Sequence, residues 1–194
     1  MGNYFKTSSC IAYETGRDKF ERIDHIDNPK DIIIQDFEGN ERTLKQYFND
    51  SIKAILIVNI AFDCELTTNK MKDLKGLYEK YKVYGLEILG VYCNQFNNEK
   101  YSKEEVVKQI SKKYKISFPI IPNVLVNGPK THLLYIYLKN NCDKLNLGVN
   151  SLKNIPWNFS IFLLDSDLKV KGFFEPHIKV NEISAEIELF LEIN

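Results

Sequence analysis

The chain has 194 residues with 26 basic and 26 acidic side chains, so its formal net charge is zero, and its isoelectric point is near 6.8. Its length suits one globular domain, and its 44% hydrophobic and 27% charged residues are typical of a folded soluble protein. The balanced charge argues against a nucleic-acid partner, which a basic excess would indicate. The longest apolar run, residues 54–62, is far shorter than the ~20 residues of a membrane span.

Residues 1–30 carry no periodic apolar pattern and are predicted to form a loose N-terminal extension, followed by one domain over residues 31–194. The first thirty residues lack the apolar core of a secretory signal. The four cysteines show neither C-x-x-C nor zinc-type spacing. We therefore expect a reduced, cytoplasmic protein without a metal, a disulfide framework or stable membrane insertion.

The predicted domain opens with a β-hairpin, whose strands cover residues 31–37 and 42–44. Residues 54–60 follow as a run of Ile, Leu and Val with one Asn, which is typical of a central strand buried on both faces. Residues 66–81 then change to helical spacing, and Thr67 or Thr68 is expected to cap the start of this helix.

A second buried strand is predicted over residues 86–92, and a second helix over 102–114. Ser102 and Glu105 have the spacing of a capping box at the start of that helix. Its apolar face is expected to carry Val106, Val107, Ile110 and Tyr114.

The remaining predicted elements are a short strand, a helix, a hairpin and a closing helix. The short strand covers residues 118–121, and the next helix is expected to begin near Pro129, a residue favoured at the first helical position. The hairpin joins residues 160–164 and 170–174, and residues 181–191 form the closing helix.

Strands and helices thus alternate, and the chain ends with an antiparallel pair and a helix. Long apolar strands in such an order predict a parallel core extended by antiparallel strands. We predict an α/β protein with a thioredoxin-like fold, in which helices flank a central mixed sheet and a β-hairpin lies at the N-terminus.

Cys64 lies between the buried strand 54–60 and the helix that follows it. The carboxyl end of a parallel strand is where such folds place ligands, and the N–H groups at a helix start favour a thiolate over a thiol. A thiolate attacks an O–O bond and becomes a sulfenic acid. Asp63 and Glu65 oppose the effect unless they point to solvent. These features alone support a reactive thiol and a small buried residue about equally.

The other three cysteines are weaker candidates. Cys93 ends a buried strand, where burial as a small hydrophobe is the commoner outcome. Cys142 follows two asparagines and is expected to be an exposed thiol in a loop, and Cys10 lies in the predicted extension. The sequence assigns none of them a role.

Four segments stand in the order and spacing of a known set of motifs. They are residues 56–64 ending in Cys64, residues 85–96 ending in Cys-Asn-Gln-Phe, Val-Asn-Gly-Pro at 126–129, and Trp-Asn-Phe at 157–159. Together they resemble the glutathione peroxidase family over roughly residues 31–192. The short segment 138–157 makes the resemblance closer to the compact, monomeric phospholipid-hydroperoxide type, here with a cysteine nucleophile. Whether that position is natively cysteine or selenocysteine stays open.

The resemblance implies a catalytic set of Cys64, Gln95, Trp157 and Asn158. Side-chain amides and the indole N–H are neutral donors that favour the thiolate and steady the departing oxygen. Singly, the last three residues would be taken for a loop glutamine, a core aromatic and a turn residue. The nucleophile segment departs from the family pattern, with Phe62-Asp63 in place of Ser-Lys and Glu65 in place of Gly.

The implied activity is that of an antioxidant thiol peroxidase, which reduces hydrogen peroxide and organic or lipid hydroperoxides through a Cys64 sulfenic acid. Glutathione or thioredoxin would be the reducing co-substrate, and no bound cofactor is implied. Members reduced by thioredoxin carry a resolving cysteine where Ile110 stands, so glutathione is the simplest donor. Two alternatives stay open: a peroxide sensor that relays oxidation from Cys64 to a partner protein, and a non-catalytic thioredoxin-like binding module.

Overall fold

A computed structural model describes residues 17–19, 26, 28–96, 100–148 and 151–193, with residues 17–19 described by their backbone. Most of the predicted N-terminal extension therefore lies outside the described residues. Within the described ranges, no helix combines the length and apolar character that crossing a bilayer requires.

Nine strands and four α-helices make up the described part of the chain. The strands are β1 (Arg17–Lys19), β2 (Ile33–Gln35), β3 (Glu41–Thr43), β4 (Ala54–Ile60), β5 (Leu86–Tyr92), β6 (Ile120–Ile121), β7 (Ser151–Lys153), β8 (Ile161–Asp165) and β9 (Val170–Phe174). The helices are α1 (Thr67–Tyr81), α2 (Lys103–Lys108), α3 (Leu133–Asn140) and α4 (Val180–Leu191).

Five strands form the central mixed sheet, in the order β6–β5–β4–β8–β9. β5 is parallel to both β4 and β6, whereas β8 is antiparallel to both β4 and β9. All seven residues of β4 are buried, which confirms the predicted central strand. The parallel core with an antiparallel pair at one side is also as predicted.

Two small antiparallel pairs lie outside the central sheet. β2 pairs with β3, which confirms the predicted N-terminal hairpin in a shorter form. β1 pairs with β7, so part of the first thirty residues is a strand. Sequence patterns missed this second pair because both strands are three residues long, too short for an alternating pattern to stand out.

The two faces of the central sheet carry separate apolar cores. Ile55 and Ile57 of β4 point into a core that includes residues of α3. Leu56 and Val58 point to the opposite face, where they join buried residues of α1, α2 and α4. This alternation follows from the two-residue period of a strand and covers both faces of β4 with helices.

The predicted cap of α1 and the predicted start of α3 are wrong. α1 has Leu66 at its N-cap with no side-chain cap, and Thr67 does not serve as one. α3 begins at Leu133 rather than near Pro129, because the His132 ring nitrogen Nδ1 accepts the N–H of Leu134 at 3.2 Å. Burial lowers the pKa of His132, which favours the neutral ring that such an acceptor requires.

The predicted capping box of α2 is confirmed. Ser102 Oγ accepts the N–H of Glu105 at 3.2 Å, and the Glu105 carboxylate accepts the N–H of Ser102 at 2.8 Å. The helix continues as a π-helical turn over Gln109–Tyr114. Val107 is 40% exposed, so its predicted place on the apolar face is wrong.

Glu87 of β5 offers a test of the packing between β5 and α1. Burial raises the pKa of Glu87, against the hydrogen bonds from Ile88 and Tyr78 that favour its charge. A pKa that is raised in the folded state means that the charged carboxylate lowers the free energy of unfolding at neutral pH. This destabilisation disappears as the pH falls through the pKa of the folded state, because the carboxyl group becomes neutral.

We therefore expect Glu87→Gln to raise the Tm by roughly 1–3 °C at about pH 8, with a smaller gain at about pH 5. Thermal unfolding followed by circular dichroism at both pH values measures this. Glu79→Gln, at an exposed carboxylate of α1, is the control and should leave the Tm unchanged. A gain of the same size at both pH values would contradict the argument.

Candidate active site

One edge of the central sheet gathers three segments of the chain. β4 and β5 are parallel and end together at this edge, where the N–H of Cys93 donates to the carbonyl of Ile60 at 2.9 Å. β8 runs the opposite way and begins here, with Ile161 opposite Val58 of β4. Whatever follows β4 or β5, or precedes β8, must therefore lie at this edge.

All four predicted site residues belong to those segments. Cys64 lies between β4 and α1, and Gln95 lies directly after β5. Trp157 and Asn158 lie in the turn that leads into β8. The topology thus brings together stretches that are far apart in the sequence.

Thr67 closes the loop that carries Cys64. Its backbone N–H donates to the carbonyl of Cys64 at 3.0 Å, and its buried hydroxyl donates to the carbonyl of Ala61 at 3.0 Å. The Cys64 side chain is partly exposed. The side chains of Asp63 and Glu65 are exposed, so both carboxylates can be screened by solvent.

Phe62 anchors the same loop in an aromatic cluster. Its ring stacks on Tyr92 at a centroid distance of 5.8 Å and on Tyr114 at 6.0 Å, and Tyr101 meets it edge-on at 6.5 Å. Tyr114 ends the π-helical turn after α2. Phe62, which departs from the pattern of the resembled motif, therefore ties the loop of Cys64 to this helical turn.

The Gln95 amide is held by the backbone of residues 126–127. Its Oε1 accepts the N–H of Val126 and the N–H of Asn127, the latter at 3.1 Å. Its Nε2 donates to the carbonyl of Asn127 at 3.0 Å. These bonds fix which end of the amide is nitrogen and use one of its two N–H groups.

Asn127 links this loop to the segment that precedes Trp157. Its side-chain Nδ2 donates to the carbonyl of Ile155 at 2.9 Å, and its Oδ1 accepts the N–H of Ile155 at 2.8 Å. The ammonium of Lys139, a fully buried residue of α3, lies 3.5 Å from the same Oδ1. Gln95 and the Trp157 segment are therefore joined through one asparagine.

Trp157 is partly exposed and packs its ring against Phe96, with a centroid distance of 5.4 Å. Its neighbour Asn158 is only 1% exposed, and within the described ranges neither amide atom of its side chain has a hydrogen-bond partner. Leaving such a group unsatisfied costs about 1–3 kcal/mol. A buried amide without partners beside this edge indicates a functional role.

The structure thus connects Gln95, through Asn127, to the segment that precedes Trp157, and it buries Asn158, the residue after Trp157. Among the described residues, the Gln95 amide bonds to residues 126–127, and its second N–H has no acceptor there. Cys64 lies at the same edge, on the loop closed by Thr67. The catalytic roles of these four residues stay predictions.

The other described thiols lie on the opposite face of the sheet from the core that Cys64 contacts. Cys93 and Cys142 belong to the core beside α3, whereas Cys64 and Ile110 pack against the core beside α1. Cys93 is buried, as predicted. The predicted exposure of Cys142 is wrong, because its side chain is buried, and this burial raises its pKa. In the described ranges, no group of metal-ligating side chains could hold an ion.

Three contributors to this edge were missed by sequence reasoning. The sequence pattern predicts Thr67 as a helix cap, contains Asn127 only within its motif, and marks Asn59 only as a polar residue inside an apolar run. A strand that is buried on both faces rarely contains an amide side chain, so the presence of Asn59 in this apolar run is a signal that the sequence does offer. For Thr67 and Asn127, the partners lie in other segments and no local pattern reveals them.

Comparison with known proteins identifies relatives over most of the chain. A family model described as glutathione peroxidase matches residues 30–139. A probable glutathione peroxidase 2 of Arabidopsis thaliana is 39% identical over 162 residues, which cover 83% of this chain and 91% of that protein. A probable phospholipid hydroperoxide glutathione peroxidase of Mesembryanthemum crystallinum is 39% identical over 166 residues, covering 84% and 93%.

Solved structures show the same architecture. The crystal structure of Trgpx in its apo form matches with a TM-score of 0.65 and 29% identity, covering 87% of this chain and 98% of that one. A thiol:disulfide interchange protein of the thioredoxin family from Chlorobium tepidum matches with a TM-score of 0.58 at 15% identity, covering 87% and 99%, which shows the shared fold alone. The predicted thioredoxin-like fold is confirmed.

The role of Asn127 as a link can be measured. Asn127→Ala removes both side-chain bonds to Ile155, and we expect the free energy of unfolding to fall by about 1–3 kcal/mol. Urea unfolding followed by circular dichroism gives this value. Asn123→Ala is the control, because it removes one exposed bond to the Asn94 N–H and should cost about 0.5 kcal/mol or less. Equal losses in the two variants would contradict the link.

Proposed function

The chain belongs to the glutathione peroxidase family and is a thiol peroxidase that reduces hydroperoxides, and we propose that Cys64 is its nucleophile and that Gln95, Trp157 and Asn158 assist it. The observation that carries the residue assignment is the meeting of these four residues' segments at one sheet edge. The partnerless amide of Asn158 supports it further.

The proposed reaction has two halves. The Cys64 thiolate attacks the terminal oxygen of the hydroperoxide, so that an S–O bond forms, the O–O bond breaks, and the departing oxygen takes a proton to leave as water or an alcohol. Cys64 is then a sulfenic acid. One external thiol condenses with it to a mixed disulfide and water, and a second thiol displaces the enzyme thiolate and carries away the disulfide.

The proposed donors act without changing their own charge. The second N–H of Gln95, the indole N–H of Trp157 and the amide of Asn158 would be aimed at the sulfur and at the departing oxygen. Donors fixed before the reaction stabilise the developing negative charge without reorganising during it. The bonds from residues 126–127 hold the Gln95 amide in one orientation, which supports such a role.

We propose that the substrates include hydrogen peroxide and bulkier organic or lipid hydroperoxides. Cys64 is partly exposed on a surface loop, so a large hydroperoxide can approach it. Several relatives are named as phospholipid hydroperoxide glutathione peroxidases, which supports the wider substrate range. A relay to a partner protein is not favoured, because the matched relatives are named as peroxidases.

For the reductant we propose glutathione, a small thiol. Cys93 and Cys142 are buried in the core on the other face of the sheet, so neither reaches Cys64 without rearrangement. Ile110 stands where a resolving cysteine is expected, and it packs against the same core as Cys64. The described part of the chain thus favours a cycle with one enzyme cysteine and an external thiol.

A pocket of about 350 Å³ offers cationic groups for the two carboxylates of such a tripeptide. It is lined by Tyr101, Glu105, Lys108, Gln109, Lys112 and Lys113. Tyr101 contacts Phe62, which lies two residues before Cys64. None of the chain's three arginines lies within the four motif segments, so the lysines of this pocket would supply the positive charge for the carboxylates.

We further propose a monomer in a reducing compartment, taken to be the cytoplasm. Cys64, Cys93 and Cys142 are all thiols rather than disulfides, which supports a reducing location. One matched relative is named as chloroplastic and another as mitochondrial, so the matched proteins differ in their compartments. The short connection between α3 and β8 supports a compact single subunit.

A coupled peroxide assay tests Cys64 and the reductant together. Wild type should consume peroxide with glutathione and its reductase faster than with thioredoxin and its reductase. Cys64→Ser should abolish turnover with either donor, because a hydroxyl is not ionised at neutral pH. Cys10→Ser and Cys142→Ser are the matched controls and should keep wild-type rates.

Activity surviving in Cys64→Ser would remove Cys64 from the mechanism. Thioredoxin-driven turnover that is lost in Cys10→Ser or Cys142→Ser would instead replace the one-cysteine cycle with a two-cysteine cycle.

Trp157→Phe tests the indole N–H, because phenylalanine keeps an aromatic ring against Phe96 and loses the donor. We expect oxidation of Cys64 by hydrogen peroxide to slow by about 10–100-fold. Timed quenching with an alkylating agent and mass spectrometry of the Cys64 peptide measures this rate. Phe96→Leu weakens the ring contact but keeps the N–H, and should slow oxidation by less than about threefold. A larger effect in Phe96→Leu than in Trp157→Phe would assign the role to packing.

A further inference from the structure

We propose that Asn59 is a positioning residue, whose buried amide holds the turn of Trp157, Asn158 and Phe159 in the geometry needed for oxidation of Cys64. The inference rests on the proposed function, and it adds a residue that acts through its neighbours rather than on the peroxide.

Asn59 is the one polar side chain in β4. The other six residues of this strand are Ala, Ile, Leu and Val, and the whole strand is buried on both faces. Asn59 itself is 0% exposed. A position inside such a strand would ordinarily take another aliphatic residue, because an amide loses its hydration on burial.

Two hydrogen bonds connect Asn59 to the turn, one on each side of Asn158. Its side-chain Nδ2 donates to the carbonyl of Trp157 at 3.0 Å. Its backbone carbonyl accepts the N–H of Phe159 at 2.7 Å. Both flanks of the buried Asn158 amide are thus held by the same residue of the central strand.

The turn needs such support because its backbone is strained. Phe159 has a φ of 66°, in the left-handed region that a residue with a Cβ adopts at a cost. Phe159 is also fully buried, so its ring and its backbone are both fixed. This conformation lies in the turn between Asn158 and the start of β8, so the turn that contains the buried Asn158 depends on it.

Stability does not account for the amide at this position. Because the Trp157 carbonyl can only accept, Nδ2 must face it, and Oδ1 of Asn59 is then left without a hydrogen-bond partner among the described residues. The Trp157 carbonyl also accepts the hydroxyl of Ser160 at 3.0 Å, so it would stay bonded without Asn59. The protein carries a buried, unsatisfied acceptor in exchange for one extra bond to the turn.

The location of Asn59 explains what this bond does. Five residues further along, the same chain segment reaches Cys64. The strand that delivers the sulfur therefore also fixes the turn that delivers the indole and the Asn158 amide. Movement of the turn relative to β4 would change the distance between these donors and the sulfur, and displacements of about 1 Å can lower a rate by about a hundredfold.

Asn59→Leu is the primary test, because leucine keeps the branched shape and the number of heavy atoms of asparagine and removes the unsatisfied acceptor. Asn59→Val is a second variant that suits the strand if leucine fits poorly. We expect the second-order rate of Cys64 oxidation by hydrogen peroxide to fall by about tenfold or more in both. Reduction of the preformed sulfenic acid by glutathione should stay within about twofold of wild type.

Two further measurements separate positioning from folding. The Tm should stay equal or rise, because an orphan buried acceptor has been removed. Trp157 is the only tryptophan, so its fluorescence reports the turn directly. We expect stronger quenching by acrylamide in both variants than in wild type. Tyr137→Phe is the matched control, since it removes a buried bond to the Leu168 carbonyl in the core beside α3 and should leave oxidation unchanged.

Oxidation rates within about twofold of wild type in a folded Asn59 variant would overturn the inference and leave the proposed function standing. Equal slowing of both half-reactions together with a lower Tm would also overturn it, since that pattern belongs to a structural residue. If wild-type protein itself left peroxide intact, the proposed function would fail and the inference with it.

Discussion

β4 pairs with a parallel strand on one side and an antiparallel strand on the other. This double pairing fixes which loops lie at the candidate site. A parallel neighbour ends where β4 ends, and an antiparallel neighbour begins there. The strand order by itself therefore brings three loops to one edge, and side-chain contacts such as that between Phe96 and Trp157 add to this arrangement. The burial of β4 between two helical layers makes its register hard to change, because a slip of one residue would exchange the two cores.

On this rigid edge, polar groups are arranged in ways that apolar packing alone would not select. Asn127 makes side-chain bonds to another loop beside the buried Lys139, whereas the side-chain amide of Asn158 has no hydrogen bond to any described residue. The first kind of amide fixes the relative position of two loops. The second is left available to a ligand or a reacting atom. Buried polar side chains that leave hydrogen bonds unmade reduce stability, and they are expected where a protein carries out chemistry. Asn59 and Asn158 are two such side chains at this edge.

The larger elements could be predicted because each has a local cause. β4 and β5 are long aliphatic runs, and α2 begins with a capping box that two residues specify. The start of α3 could not be predicted, because a neutral histidine caps it rather than a proline. The burial of Cys142 depends on α3 and the chain after it folding over a distant core. For the site, motif order indicated which residues meet, whereas the hydrogen bonds that hold them depend on partners about thirty to a hundred positions away.

The placement of the described thiols on two sides of the sheet affects how long each protein molecule stays active. In the proposed cycle, a sulfenic acid at Cys64 has no thiol among the described residues to capture it, because Cys93 and Cys142 lie in the core on the other face of the sheet. It persists until a second molecule arrives, and a further peroxide can meanwhile convert it to sulfinic acid, which ordinary thiols do not reverse. The active lifetime of each molecule would then depend on the ratio of peroxide to small thiol around it. Inactivation by over-oxidation would be fastest when the small thiol is exhausted.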